Sequence, residues 1–142
     1  MKKVLFVCIH NSARSQMAEA YLNHLGKNKF IAESAGIEGG HLNPLVVEAM
    51  RLDGIDISGN KTKTVDEILK ARKQFDLVVT VCDEASAERC PVFPGKGKKL
   101  HWGFPDPSTF SGTKEEKLEK VIAVRNEIRT KIEWFVNTED SV

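Results

Sequence analysis

Val4-Leu5-Phe6-Val7-Cys8-Ile9-His10-Asn11-Ser12-Ala13-Arg14-Ser15 reads as a strand, a tight loop and the first turn of a helix. The apolar run that ends in Cys8 shows no polar alternation, the pattern of a strand buried on both faces of a parallel sheet. Two further runs follow the same plan. Leu77-Val78-Val79-Thr80-Val81 ends in Cys82, and Leu100-His101-Trp102-Gly103-Phe104 is followed by Asp106. Open α/β sheets bind ligands beyond the carboxyl ends of their strands. A thiol, a second thiol and a carboxylic acid are therefore expected on one rim, around an anion-sized site.

The remaining elements fit that frame. A helix is predicted from about Ala13 to Leu25, closed by a left-handed cap at Gly26. A short second strand runs from Lys29 to Ser34 and closes at Ala35-Gly36. Asn43-Pro44 offers an N-cap and a first-turn proline for a helix ending at Gly54. Thr64-x-x-Glu67 and Thr113-x-x-Glu116 are capping boxes. The third strand is expected over Asp76 to Val81 and the fourth near Lys99 to Trp102. Leu118, Val121, Ile122, Ile128, Ile132 and Phe135 keep helical spacing along the last helix. Alternating βα units predict an α/β fold with a parallel, doubly wound sheet.

The 142 residues suit one domain, 1–142, with a real core. Twenty-one Lys and Arg nearly balance twenty Asp and Glu, so no global field favours nucleic acid or an anionic membrane. No segment approaches a membrane span, and the first apolar run is too short for a signal peptide. A reducing, cytoplasmic setting is the expectation. Three cysteines there are not a structural disulfide framework.

A nucleophile aimed at a tetrahedral oxyanion needs a stabilised anionic form, a partner for the oxyanion's charge, and rigidity. Cys8-x5-Arg14 between a strand and a helix can supply all three. The amides of Ile9, His10, Asn11, Ser12, Ala13 and Arg14 can curl into a concave nest with the helix's positive end behind it. A helix N-terminus and a nearby Arg also favour the thiolate of a cysteine. Arg14 presents a planar fork for two oxygens of phosphate or arsenate, and Ser15 can donate to the Cys8 sulfur. The loop lacks glycine, but His10 and Asn11 belong to the residue types that best tolerate positive φ. Read alone, Cys8-x5-Arg14 is more often a buried cysteine that ends a strand, with Arg14 and Ser15 as ordinary first-turn residues.

Cys8-x5-Arg14-Ser15 with Asp106-Pro107 resembles the low-molecular-weight protein tyrosine phosphatase fold. Within it, Ser15-Gln16-Met17-Ala18-Glu19, Glu33-Ser34-Ala35-Gly36-Ile37, Asn43-Pro44, Asp56-Ile57-Ser58, Asp76-Leu77-Val78-Val79-Thr80-Val81-Cys82, Cys90-Pro91 and His101-Trp102-Gly103-Phe104 resemble the thioredoxin-coupled arsenate reductases. The resemblance extends to about Ile132. It implies a three-layer α/β/α domain with a four-stranded parallel sheet. It also implies arsenic detoxification by reduction of arsenate to arsenite, with a weak phosphatase side activity.

By that resemblance Cys82 attacks the Cys8–arsenic adduct, releasing arsenite and leaving a Cys8–Cys82 disulfide. Cys90 then attacks Cys82, and thioredoxin reduces the Cys82–Cys90 bond. Exchange of this kind needs a thiolate close to the sulfur it attacks. The polar stretch Asp83 to Arg89 is helix-competent and could unwind to bring Cys90 in. No cofactor is implied, since the electrons come from thioredoxin. Without the resemblance, Cys82 and Cys90 read as small buried hydrophobes. A zinc site is disfavoured because no Cys-x2–4-Cys spacing exists, and His24, His41 and His101 read as surface or satisfied structural residues.

Asp106 is the expected general acid or base. Ser108 and Thr109 stand where the phosphatases carry an aromatic residue that holds an aryl phosphate. The resemblance further implies a potassium site at Asn11, Glu19, Ser34 and a later Thr-x-Asp, but that element here reads Lys61-Thr62-Lys63. Lys63's ammonium in place of the ion, and Lys61 and Lys63 as a solvated pair, are both open. Two other functions remain: a phosphotyrosine phosphatase, and a non-catalytic oxyanion-binding or redox-sensing protein. The expected partners are arsenate, with phosphate or sulfate competing, and thioredoxin, acting on a monomer.

Overall fold

The computed structural model describes residues 1–82 and 97–139. Strands β1 (Lys2–Cys8), β2 (Phe30–Gly36), β3 (Leu77–Thr80) and β4 (Lys98–His101) form one parallel sheet in the order β2-β1-β3-β4. Val4 to Val7 are fully buried, as a central strand with unbroken apolar character requires. β1 and β3 are neighbours, with Val7 opposite Thr80, so the chain reaches Cys8 and Cys82 at the same rim.

Side-chain alternation divides the core between two faces. Val4, Phe6, Leu77 and Val79 pack beneath α1 (Arg14–Leu25), α2 (Pro44–Leu52) and α4 (Lys114–Glu139). Leu5, Val7, Ala35 and Val78 face α3 (Val65–Lys70) through Ile68. This is the expected three-layer α/β/α arrangement with a four-stranded parallel sheet. β4 is one of the two outer strands, and its exposed Lys98 and Lys99 discourage pairing with another chain. No helix among the described residues is long and apolar enough to cross a membrane.

The predicted caps are present. Asn43 Oδ1 accepts from Leu45 N–H ahead of Pro44. Thr64 and Glu67 form a reciprocal box, and Thr113 Oγ1 accepts from Glu116 N–H. Gly26 departs from expectation: its φ is −99°, not left-handed. Glycine is needed there for space, because a Cβ would come within 2.9 Å of Leu22 O and of the Phe30 ring. β2 does not close at Ala35-Gly36 but runs through both, since Val7 and Cys8 still offer it partners. β4 ends at His101, one residue early. The apolar residues after it are buried by the loop that carries Trp102 and Phe104 into the core rather than by a longer strand.

Candidate active site

The loop after β1 is shaped by what holds its carbonyl groups. Ile37 N–H donates to Cys8 O at 3.1 Å, Glu38 N–H to Ile9 O at 2.9 Å, and Asn43 N–H to Ser12 O at 2.9 Å. A peptide's N–H points away from its C=O, so tethering the carbonyls outward turns intervening N–H groups toward the concave side. That of Asn11 reaches Cys8 Sγ at 3.0 Å. Gly36 makes the tether possible: a Cβ there would stand 2.7 Å from Asn11 N and 2.8 Å from Ile9 O. Asn11 takes the positive φ that a glycine would otherwise supply, at 57°. His10 does not share it, and its ring faces Glu38 at 3.7 Å.

Asn11 is also the hub of a buried polar network. Its amide donates to Ser15 Oγ at 2.8 Å and accepts from Lys63 N–H at 2.9 Å and from Gln16 Nε2 at 3.1 Å. Ser15 Oγ lies 2.9 Å from Cys8 Sγ, so the network ends on the sulfur. Gln16 spans from the loop to Lys61 O and Asn60. No buried side-chain polar atom among the described residues lacks a partner. The sequence reading missed the hub. Its one visible signal was a run of polar residues, Asn11, Ser15 and Gln16, at the start of a helix that otherwise turns apolar residues inward.

Arg14 is 3% exposed, and a buried cation needs partners. It donates to Phe104 O at 3.2 Å and faces Asp106 Oδ2 at 3.6 Å. Trp102 and Phe104 are packed in the core, which fixes the segment that carries both acceptors. Asp106 is in turn held by a 3₁₀ turn (Pro107–Thr109), whose Thr109 donates to its carbonyl. Ala13 at the start of α1 offers no side-chain cap, and the first turn holds no acidic residue. Cys8, Arg14 and Asp106 thus surround one concave, donor-rich position able to hold a tetrahedral oxyanion.

Cys82 is fully buried just beyond β3, anchored by Val81 N–H on Val7 O at 3.0 Å. Neither it nor Cys8 is in a disulfide. Cys90 and the stretch Asp83 to Arg89 lie outside the described residues. His24 and His41 are exposed as expected.

Of the residues expected around a potassium ion, Glu19 and Ser34 meet directly. Ser34 Oγ donates to Glu19 Oε1 at 3.0 Å, and Lys63 joins this group through its backbone on Asn11. Burial pushes the Glu19 carboxyl above the ordinary range, while the Ser34 bond and the Lys63 charge pull it partly back. Lys63 Nζ lies 3.5 Å from Glu33 Oε1, which Lys73 also binds at 2.7 Å. Burial alone would raise Glu33, but Lys73 and Lys63 outweigh it and hold that carboxyl below its usual range. Lys63 is therefore not a solvated partner of Lys61; it carries its charge into an acidic cluster. Among the described residues, no three His, Cys, Asp or Glu side chains are grouped to hold a metal ion.

The fold and the anion loop define a phosphatase-like class, and the family model for low molecular weight phosphotyrosine protein phosphatases matches residues 3–139. The chain belongs to that family. Within it, the chain is 45% identical over 139 residues to an arsenate reductase of Bacillus licheniformis, covering 96% of each chain. It superimposes on the crystal structure of an arsenate reductase from Archaeoglobus fulgidus with a TM-score of 0.74 and 38% identity, over 94% of this chain and 98% of the other. A thioredoxin-dependent arsenate reductase of Corynebacterium glutamicum gives a TM-score of 0.60 at 29% identity, over 94% of this chain and 62% of that one.

Proposed function

We propose that the protein reduces arsenate to arsenite. The observation that carries this reading is the second buried thiol, Cys82, beyond the strand adjacent to the one that ends in Cys8. Hydrolysis of a phosphate ester needs only Cys8, Arg14 and an acid; reduction needs two electrons, and thiols are the redox groups this composition offers.

In the proposed sequence the loop of residues 9–15 binds arsenate, with Arg14 clamping two oxygens. Cys8, whose sulfur is met by Asn11 N–H and Ser15 Oγ, attacks arsenic, and Asp106 protonates the oxygen that leaves. Cys82 then attacks the Cys8 sulfur. The S–As electron pair passes to arsenic, which leaves as arsenite, and a Cys8–Cys82 disulfide remains. Cys90 takes over Cys82, and thioredoxin reduces the resulting Cys82–Cys90 bond. The likeness to a thioredoxin-dependent enzyme supports that electron source. We read Lys63 as standing in for an alkali cation beside Glu19, which suits its charge and the buried carboxyl. A single cytoplasmic domain acting as a monomer, with no bound cofactor, completes the reading.

The test is arsenate-dependent NADPH oxidation with purified thioredoxin and thioredoxin reductase. Steady turnover that stops when arsenate is omitted supports reduction. Hydrolysis of p-nitrophenyl phosphate with no arsenite released would instead favour a phosphatase, which the same Cys8–Arg14–Asp106 geometry permits. Anion binding with neither activity would leave an oxyanion-binding protein.

A further inference from the structure

Gln16 lies in the first turn of α1, 1% exposed, and both ends of its amide are used. Nε2 is 3.1 Å from Asn11 Oδ1, 3.2 Å from Asn11 O and 3.2 Å from Lys61 O, while Oε1 accepts from Asn60 Nδ2 at 3.1 Å. Two N–H groups thus serve three oxygens. One is directed at Lys61 O, and the other is shared by the two oxygens of Asn11.

A carboxamide can be turned end for end, so its neighbours decide which end points where. Here main-chain groups of fixed polarity decide. The Asn11 and Lys61 carbonyls only accept, which directs Gln16 Nε2 to them and leaves Oε1 for Asn60. Lys63 N–H only donates, at 2.9 Å from Asn11 Oδ1, and Gln16 Nε2 donates to the same oxygen. Asn11 is thereby held with Nδ2 toward Ser15 Oγ at 2.8 Å. The Ser15 hydroxyl accepts from that amide, and its one proton is left for the contact with Cys8 Sγ at 2.9 Å. The opposite setting of Asn11 would offer Ser15 an oxygen, which would compete with sulfur for that proton.

We propose that Gln16, seated on Asn60, is a positioning residue for Cys8: it sets the direction of the chain Asn60–Gln16–Asn11–Ser15–Cys8, which ends in a proton donated to sulfur. Gln16 acts in two ways. It donates to Asn11 Oδ1 itself, and by holding Lys61 O and Asn60 it places the segment that brings Lys63 N–H to the same oxygen. The proposal rests on Cys8 being the nucleophile of the reaction proposed above. A sulfur nucleophile reacts as the thiolate, which accepts hydrogen bonds and donates none. A Ser15 hydroxyl turned toward Asn11 would leave it one donor short.

The experiment follows alkylation of Cys8 by iodoacetamide at neutral pH, read at the Cys8 peptide by mass spectrometry, with and without inorganic phosphate. Gln16→Met keeps an unbranched side chain but neither donates to Asn11 nor holds Asn60. Loss of a hydrogen bond to a charged group predicts alkylation about tenfold slower than in the wild type. Phosphate should protect both proteins with the same midpoint, because the loop amides and Arg14 are unchanged. The deciding comparison is made in Asn11→Gly, which has no amide to turn. There Gln16→Met should add no further slowing, since Gln16 acts on the sulfur through Asn11. If Gln16→Met does not fold, Asn60→Ala removes the donor on Gln16 Oε1 from a half-buried site. It should slow alkylation in the same sense, again only while the Asn11 amide is present. Wild-type rates in the folded variants overturn the proposal. So does slowing that persists in Asn11→Gly or that comes with weaker phosphate protection, since either means a distorted loop rather than a turned amide. A wild-type Cys8 that reacts no faster than in the urea-unfolded chain would instead remove the nucleophile reading itself.

Discussion

Two substitutions at Asn11 separate the backbone conformation of the anion loop from the network it organises. Asn11→Gly keeps the φ of 57° without strain and deletes the amide, whereas Asn11→Ala deletes the amide and adds a Cβ to a left-handed position. The amide makes three hydrogen bonds at a fully buried site: to Ser15 Oγ, from Lys63 N–H and from Gln16 Nε2. Ser15 keeps its contact with Cys8, and Gln16 keeps Asn11 O and Lys61 O. The larger loss therefore falls on the Lys63 peptide. With about 0.5–1.5 kcal/mol for each of the two bonds whose partners have alternatives and ~1–3 kcal/mol for the stranded donor, the glycine variant should lose about 2–6 kcal/mol. The alanine variant should lose roughly 1 kcal/mol more, because its left-handed strain exceeds the chain entropy that it saves relative to glycine. Urea unfolding followed by tryptophan fluorescence measures both. The hydrogen bond to Cys8 Sγ comes from the main chain, so the folded glycine variant should still be alkylated rapidly at Cys8. The reasoning fails if alanine proves as stable as glycine, or if neither differs from wild type.

Cys8→Ser should release no arsenite, and phosphate should slow alkylation of Cys8 in the wild type; labelling that ignores phosphate counts against the loop as an anion site. Cys82→Ser should retain p-nitrophenyl phosphate hydrolysis while losing arsenite release, and continued turnover with thioredoxin would remove Cys82 from the relay. Potassium and sodium should support the same activity and melting temperature at equal ionic strength, whereas Lys63→Asp should create a potassium response; a wild type selectively stabilised by potassium contradicts the stand-in role. Glu19 is raised in the folded state, chiefly by burial, so its contribution to stability is largest below the ordinary carboxylate range and is lost as pH rises through its folded value. Glu19→Gln should thus stabilise the protein at pH 7 and above, with the gain fading below about pH 4.5; a gain that instead grows on acidification reverses the sign and rejects the burial argument.

The features legible in the sequence were those in which local chemistry and the final fold agree. Val4 to Val7 reads as a doubly buried strand because nothing in the run needs water, and the helix starts at Asn43, Thr64 and Thr113 are local hydrogen-bonding devices that form wherever the chain turns helical. Gly26 was misread because a glycine after a helix has two uses. Only the packed Phe30 ring reveals that close approach, not φ, selects it here. The end of β2 depended on how far β1 continues beside it, a non-local quantity. At the site, the placing of Cys8 at the end of β1 and of Asp106 against Arg14 was legible because spacing and strand-end positions set it. The hub role of Asn11 was not. It depends on which distant backbone arrives opposite, here Lys63 from a loop.

The geometry also explains how a single loop serves two chemistries within one family. Its selectivity elements are backbone amides, a guanidinium and a helix end, all of which recognise charge and tetrahedral shape rather than the central atom. On the proposed reading phosphate and arsenate satisfy the loop alike, and the adduct on Cys8 sulfur is where their fates diverge. Phosphorus keeps its oxidation state and leaves to water. Arsenic accepts the electron pair of the bond to sulfur, provided that a second thiolate arrives to take its place. On the proposed reading, conversion of a hydrolase scaffold to a reductase needs no change in the anion loop. It needs a nucleophile delivered from a neighbouring strand, and β3 lies beside β1 with Cys82 just beyond its end.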